Sequence, residues 1–221
     1  MPGRFSLYPD LTVEENLQFF AALFGSRVEE SYDLIAPVYR QIAPFKHRRA
    51  GRLSGGMKQK LALSCALIHR PSVLFLDEPM TGVDAVSRSE FWEMLGELKS
   101  KGITMLVSTP YMDEASRCDR IALCNEGRLL GIDTPAGTVA RFGSPLFAVA
   151  ADDMYRLLRE ARRCRGVAEC YPFGQTHHLI AGADFEPECF AAELREKGVT
   201  GLSVRPAVPE IEDVFIKWMQ K

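Results

Sequence analysis

An acidic pair at the end of an apolar run is the first candidate for chemistry in this sequence. In the stretch VLFLDEP, Asp77 and Glu78 follow four apolar residues. If the run is a parallel strand, the pair lies at its carboxyl end, where α/β sheets gather their ligands. One carboxylate could then hold Mg²⁺, and its neighbour could orient or deprotonate an attacking water. Alternatively, the pair only ends a strand with a polar turn, and the stretch alone favours neither interpretation.

A second candidate is the stretch LSGGMKQK, in which Ser54, Gly55 and Gly56 open a predicted helix. The first turn of a helix presents free backbone N–H groups and the positive end of the dipole, and glycines let a phosphate come close. A lone Ser-Gly-Gly is more often a simple helix cap. The combination favours a phosphate site, because this helix, the apolar strand and the acidic pair follow one another directly.

The elements around these residues predict a parallel α/β sheet. The helix after Ser54 ends at Pro71, the apolar run SVLFLD follows, and a helix over residues 85–101 leads to a second apolar run, GITMLVST. Such continuous runs are typical of parallel strands that are covered on both faces. Upstream, Thr12 and Glu15 have the spacing of a capping box and predict a helix that ends near Gly25.

After residues 142–144 the pattern changes to a second, smaller unit. We predict strands over 146–150, 167–172, 176–181 and 201–205, helices over 153–163 and 187–197, and a last helix over 210–219. The order βαββαβ, with a hairpin over residues 173–175, is typical of a ferredoxin-like domain. In the last helix, Glu212 and Asp213 are interpreted as a solvated face rather than an acidic interaction site.

Composition narrows the function classes. The chain has 221 residues, of which 47% are hydrophobic and 25% charged, as in ordinary globular proteins. Its formal net charge of -2 gives no reason to expect a nucleic-acid partner. No apolar run approaches the roughly 20 residues that cross a bilayer, so we expect any membrane role to come through a partner. The six scattered cysteines are interpreted as reduced thiols rather than disulfides or a metal site.

Four stretches together resemble the ATP-binding subunits of ABC transporters. LSGGMKQKLALSCALIHRPSVLFLDEPMTGVD is similar to their signature motif, Walker B strand and D-loop. STPYMDEASRCDRIALCNEGRLLGIDTP resembles the switch region, and RFSLYPDLTVEENLQFFAALFG the segment after the Q-loop. The C-terminal VPEIEDVFI is similar to the end of subunits that serve ABC-2-type exporters, the drug- and polymer-efflux group. Almost the entire chain is covered.

The resemblance implies an α/β fold with two domains. Residues 1–143 would form a partial P-loop NTPase (ABC ATPase) domain, with a helical signature subdomain over 1–70 and the Walker B half of the parallel sheet over 71–143. Residues 144–221 would form the accessory βαββαβ domain, whose role we expect to be regulatory or dimer-stabilising.

The resemblance also assigns roles to particular residues. Asp77 would help to position Mg²⁺, Glu78 would be the catalytic base, and Asp84 would lie at the seam between two subunits. The residues that would contact the γ-phosphate of an ATP bound mainly by the opposite subunit are Ser54, Gly55, Gly56 and Met57.

The implied function is coupling of ATP binding and hydrolysis to efflux, with ATP and Mg²⁺ as cofactors. The implied partners are a second ATP-binding subunit, either a copy or a different chain, and an ABC-2-type membrane permease. Residues 9–24 lie where the family docks the coupling helices of its membrane subunit. The chain would therefore lie on the cytoplasmic face of the inner or plasma membrane. The exported compound is chosen by the membrane subunit, which is not in this sequence.

Three departures from the family pattern bear on activity. The sequence has no G-x-x-x-x-G-K-[ST] motif and no Gly-Lys dipeptide at all, so we expect an N-terminal truncation, such as a misplaced start, and no ATPase activity of the chain alone. Gly3 occupies the place of the Q-loop glutamine. Pro110 occupies the place of the switch histidine and offers neither a side-chain donor nor an N–H.

Two alternatives stay open. In one, the chain is a non-hydrolytic, degenerate half that donates its signature motif to the ATP site of a partner, which Gly3 and Pro110 favour. In the other, it is a decayed gene product that does not fold, because unpaired strand edges promote aggregation.

Overall fold

The computed structural model describes residue 1 and residues 7–219. The backbone contacts divide the chain into two compact units, Met1–Arg117 and Cys118–Lys221. In the described part, no helix has the length and apolar character needed to cross a membrane.

The first unit is mainly helical, with one short parallel sheet. Its elements in chain order are α1 (Val13–Leu23), α2 (Tyr32–Tyr39), α3 (Gly55–Leu67), β1 (Val73–Asp77), α4 (Ala85–Ser100), β2 (Thr104–Ser108) and the short α5 (Met112–Ala115). Single 3₁₀ turns occur at Glu29–Ser31, Ala43–Phe45 and Ala50–Arg52.

The predicted capping box at the start of α1 is confirmed. The Thr12 hydroxyl accepts the Glu15 N–H at 3.2 Å, and the Glu15 carboxylate accepts the Thr12 N–H at 2.7 Å. These two reciprocal bonds satisfy amides that have no partner within the helix. The helix then ends before Gly25, whose φ of +65° is a conformation that favours glycine.

Strands β1 and β2 pair in parallel, in register from Val73–Thr104 to Asp77–Ser108. One face of this pair belongs to the core that the helices of this unit form, through Leu74 and Leu76. On the other face Phe75 and Leu106 are each 62% exposed. The prediction that the strands are covered on both faces is therefore wrong for the described residues, because the helices of this unit pack on only one side.

The second unit begins with a hairpin and contains a four-stranded antiparallel sheet. Its elements are β3 (Ile121–Asn125), β4 (Arg128–Asp133), α6 (Pro135–Ala140), β5 (Leu146–Ala150), α7 (Met154–Ala161), β6 (Val167–Phe173), β7 (Thr176–Ala181), α8 (Pro187–Glu196), β8 (Ser203–Pro206) and α9 (Ile211–Met219). A tight turn joins β3 to β4, with positive φ at Glu126 and Gly127.

The elements from β5 to β8 follow one another as βαββαβ, so the predicted succession is confirmed. In the sheet the strand order is β6-β7-β5-β8. One face packs against α7 and α8 through Val149, Leu157 and Leu194. The opposite face packs against α9 through Ile180 and Val214. The predicted domain boundary at residues 143/144 stays a prediction.

The interpretation of Glu212 and Asp213 as one solvated face is wrong for Asp213. Glu212 is exposed, whereas Asp213 is fully buried and bonded to Tyr171 and His178 on the sheet. The two neighbours differ because adjacent residues of a helix point in different directions, and α9 turns Asp213 towards the sheet.

Candidate functional site

The acidic pair lies at the carboxyl end of β1, as the sequence predicts. Asp77 is the last residue of the strand, and Glu78 follows it with φ +42°. A left-handed backbone is uncommon for a residue with a side chain and costs on the order of 1–3 kcal/mol, so it persists only when neighbouring contacts hold it. Here it turns the chain sharply after the strand, and both acidic residues are exposed.

Ser108, the last residue of β2, contacts both members of the pair. Its hydroxyl donates to Asp77 Oδ1 at 2.7 Å. The Glu78 N–H donates to the same hydroxyl oxygen at 2.8 Å and to the Ser108 carbonyl oxygen at 3.1 Å. Thr81 completes the group, because its hydroxyl donates to Glu78 Oε2 at 3.0 Å.

The Ser-Gly-Gly stretch forms the start of α3. Ser54 is the N-cap residue, and its hydroxyl accepts the Met57 N–H at 3.3 Å. Gly55 is exposed, Gly56 is buried and Met57 is half-buried against the core of this unit. The amides of the first helical turn have no acceptor within the helix, and Gly55 leaves open access to them.

Gly56 lies directly against the start of α4. A Cβ placed on Gly56 would lie 2.7 Å from Ser87 Oγ and 2.9 Å from Ser87 Cβ. A Cβ on Gly55 would meet Val83 Cγ2 at 3.7 Å, which is ordinary van der Waals contact. The signature stretch therefore packs on the loop before α4, and at Gly56 this packing requires glycine.

Asp84 is the N-cap residue of α4. Its Oδ1 accepts the Ser87 N–H at 2.9 Å, and this bond holds the pKa of the Asp84 carboxyl below its ordinary value. The carboxylate is exposed and ionised near the positive end of the helix dipole. Asp84 thus has a structural role in this chain, whatever it does at a subunit seam.

The structure brings the predicted site residues together in two groups. One is the acidic pair Asp77 and Glu78, joined by Ser108 and Thr81. The other is the start of α3, joined to the start of α4. Sequence reasoning missed Ser108 and Thr81. The signal for Ser108 was a hydroxyl residue at the end of the second predicted strand, where neighbouring parallel strands bring their ends together.

Gly3 and Pro110 are the two residues that occupy the places of family side chains, and the structure describes Pro110. This proline is exposed and follows β2. The preceding residue, Thr109, donates its hydroxyl to Glu114 Oε2 at 2.6 Å. The ring of the following residue, Tyr111, lies under the Arg88 guanidinium at 4.5 Å. The Pro110 ring offers no hydrogen-bond donor to a ligand. Gly3 lies outside the described residues.

The donor set around the acidic pair fits Mg²⁺ with a nucleotide. Mg²⁺ takes oxygen ligands, keeps several waters and usually binds through one or two carboxylates plus substrate phosphates. Asp77 and Glu78 offer exposed carboxylate oxygens of this kind. In residues 7–219, no group of three or more His, Cys, Asp or Glu side chains could enclose a metal. The exposed oxygens of Asp77 and Glu78 suit an ion that phosphates and water also coordinate.

Comparisons with known proteins agree on one family. The family described as "ABC transporter" matches residues 2–81. The probable multidrug ABC transporter ATP-binding protein YbhF of Escherichia coli is 37% identical, over 98% of this chain and 38% of its own length. The Nod factor export ATP-binding protein I of Burkholderia lata is 34% identical, over 98% of this chain and 70% of its own length. The chain thus spans well under half of one relative and about two thirds of the other.

A solved structure shares the fold. An ATP-binding subunit of an ABC transporter superposes with a TM-score of 0.54 and 31% identity, over 62% of this chain and 58% of that one. Since the sequence matches extend over nearly the whole chain and the α/β fold is shared, this chain belongs to the ATP-binding proteins of the ABC transporter family.

Proposed function

We propose that this chain is an ATP-binding and ATP-hydrolysing subunit of an ABC exporter. The observation that carries the proposal is the exposed acidic pair at the end of β1, held in place by Ser108 and Thr81. The open start of α3, with Ser54 and Gly55 exposed, supports it as a surface for phosphate.

The two carboxylates of the acidic pair have different roles in this proposal. Asp77 would hold Mg²⁺, directly or through water, and a bound ion would supply positive charge to neutralise the phosphates. Glu78 accepts a proton from the attacking water and aligns it, a role that its exposed, sharply turned position permits. Ser54, Gly55, Gly56 and Met57 face the nucleotide of a second subunit, and Asp84 lies at the seam between the two.

The partners in this proposal are a second ATP-binding subunit and a membrane permease of the ABC-2 type. An exposed aromatic surface supports permease docking: Tyr8 and Phe19 stack edge to face at 4.6 Å between ring centroids, and Leu23 and Phe24 are 62% and 49% exposed. Exposed apolar surface marks interaction sites, and these side chains lie on α1 or directly beside it. The chain would work at the cytoplasmic face of the membrane, attached through the permease.

The names of the relatives support export as the process. One is named for multidrug transport and the other for Nod factor export. We propose export for this chain as well, without assigning the compound, because the permease determines what is carried.

The test is ATP turnover of the complete transporter complex with Glu78→Gln. Glutamine keeps the shape of glutamate and cannot accept the proton, so we expect turnover to fall by about 10²–10³-fold. Nucleotide binding should persist, which fluorescent-nucleotide titration checks. The complex is needed because the sequence has no G-x-x-x-x-G-K-[ST] motif, and we propose that the chain alone does not turn over ATP.

A second candidate function is a non-hydrolytic half that completes the ATP site of its partner. Pro110 favours it, since proline offers no donor to a γ-phosphate. In that case Glu78→Gln leaves turnover unchanged. Gly55→Asp still blocks turnover, because it places a carboxylate at the start of α3, where space for a Cβ exists and a negative charge repels phosphate.

A further inference from the structure

We propose that Ser108 is a positioning residue that sets the geometry of the acidic pair. This inference rests on the proposed function, because it assigns Ser108 a role in orienting Asp77 and Glu78 for Mg²⁺ and water. Ser108 would act only through these two residues.

The hydrogen bonds of Ser108 have a defined direction. A hydroxyl has one proton to donate and lone pairs to accept with. The proton is given to Asp77 Oδ1 at 2.7 Å, and the oxygen accepts the Glu78 N–H at 2.8 Å. The chain of bonds thus runs from the Glu78 amide through Ser108 to the Asp77 carboxylate, and bonds in such a series strengthen one another.

The position of the hydroxyl is fixed by the sheet rather than by a loop. Ser108 pairs with Asp77 as the last of five residue pairs in the parallel ladder between β1 and β2. Its carbonyl oxygen accepts the Glu78 N–H as well, at 3.1 Å. Asp77 and Glu78 are therefore both bonded to one residue of β2, and functional groups on strands are held more precisely than those on loops.

The same contacts hold Glu78 in its uncommon conformation. With φ +42°, the Glu78 backbone turns its side chain away from the line of β1, towards Thr81. The amide that Ser108 accepts from is the amide of this turn. Without the hydroxyl, one oxygen of Asp77 loses its donor and the Glu78 amide keeps only the longer bond to the carbonyl oxygen.

The test compares two substitutions of the same shape. Ser108→Thr keeps the hydroxyl, whereas Ser108→Val replaces it with a methyl group. Both are β-branched residues that suit a strand, and Ser108 is exposed, so both side chains fit. Partners of metal ligands typically contribute 10–100-fold to metal affinity or activity.

We expect Ser108→Val in the complete complex to lower kcat for ATP by roughly 10-fold to 100-fold, with KM for ATP changed by less than about 2-fold. Ser108→Thr should retain most of the activity. A readout independent of turnover is Mn²⁺ affinity in the nucleotide-bound complex, measured by electron paramagnetic resonance. The valine variant should bind Mn²⁺ about 10-fold more weakly than the threonine variant, with similar melting temperatures.

Two results would overturn the inference: equal kcat and Mn²⁺ affinity in the valine and threonine variants, or a KM effect without a kcat effect. Failure of the proposed function looks different. If Glu78→Gln leaves ATP turnover of the complex unchanged, that function is contradicted. The Mn²⁺ affinities of the valine and threonine variants then still decide whether Ser108 orients Asp77.

Discussion

Single hydroxyl groups that donate to carboxylates occur in both units, with different consequences. In the first unit, Ser108 donates to Asp77 at a surface that is open to solvent. In the second, Tyr171 donates to Asp213 at 2.6 Å inside the packing between the sheet and α9. The exposed pair can offer its remaining oxygens to a ligand. The buried pair has no such access and contributes to stability.

Asp213 shows how a buried carboxylate is satisfied. Its Oδ1 also contacts His178 Nδ1 at 2.6 Å, and its Oδ2 accepts the Glu210 N–H at 2.7 Å. The carboxylate therefore ties the start of α9 to strands β6 and β7. Charged groups are buried only with such partners, because an unpaired one would cost several kcal/mol.

The buried phenol of Tyr171 predicts a loss of stability at high pH. Burial first, and then the hydrogen bond to Asp213, raise the pKa of Tyr171 above its ordinary value. The folded state thus keeps a proton that the unfolded state releases above about pH 10. The stabilisation is complete below that pH and is lost as pH rises, by about 1.4 kcal/mol per pH unit until the folded phenol ionises.

Between about pH 10 and 11.5, we therefore expect the unfolding free energy of Tyr171→Phe to decrease less steeply with pH than that of the wild type. Urea denaturation at each pH measures this slope. At neutral pH the variant should be about 1–2 kcal/mol less stable, since it lacks the hydrogen bond. Tyr155→Phe is the control, because Tyr155 is 76% exposed. Parallel pH curves for wild type and Tyr171→Phe would contradict the prediction.

At the scale of elements, the sequence predicts caps and turns, but it does not predict which elements pack on a given face. The Thr12 capping box and the hairpin over residues 173–175 depend on residues close in the chain, and both were predicted. The exposure of Phe75 and the burial of Asp213 depend on which elements pack on a given face. That information is tertiary, and an apolar run or an acidic dipeptide carries too little of it.

The packing of α3 on α4 gives a prediction for Gly56. In Gly56→Ala, the new Cβ would clash with Ser87 Cβ, which cannot rotate away, so one of the helices must move. We expect a loss of about 1–3 kcal/mol in unfolding free energy, measured in urea. Gly55→Ala, with an ordinary contact at the same helix start, should be nearly neutral.

A compensating substitution makes this prediction sharper. Ser87→Gly removes the atoms that Gly56→Ala would meet and keeps the N–H that bonds to Asp84. The double variant should recover more than half of the loss, since contacting residues couple by about 0.5–3 kcal/mol. Additive losses in the double-mutant cycle would show that the clash is not the cause.

At the scale of the whole molecule, the sequence predicts the order of the helices and strands. Sequence and backbone contacts divide the chain into units at different residues. The sequence predicts a domain boundary at residues 143/144, but backbone contacts divide the chain after Arg117. Phe142 lies in the core beneath α9 and is 2% exposed, and Lys217 on α9 donates to its carbonyl oxygen. A Cβ on Gly131 would lie 2.7 Å from the Trp218 ring. Residues before 144 therefore pack tightly on α9.

Two fragments of the chain decide between these boundaries. We expect residues 118–221 to unfold cooperatively in urea, and residues 144–221 to be less stable by about 3 kcal/mol, because the shorter fragment lacks the buried Phe142 ring. Phe142→Ala in the longer fragment should reproduce most of that loss, and Leu129→Ala, at a 56% exposed position of β4, should not. Equal stability of the two fragments would place the boundary at 143/144 and would mean that the packing of Phe142 and Trp218 contributes little to holding α9 on the sheet.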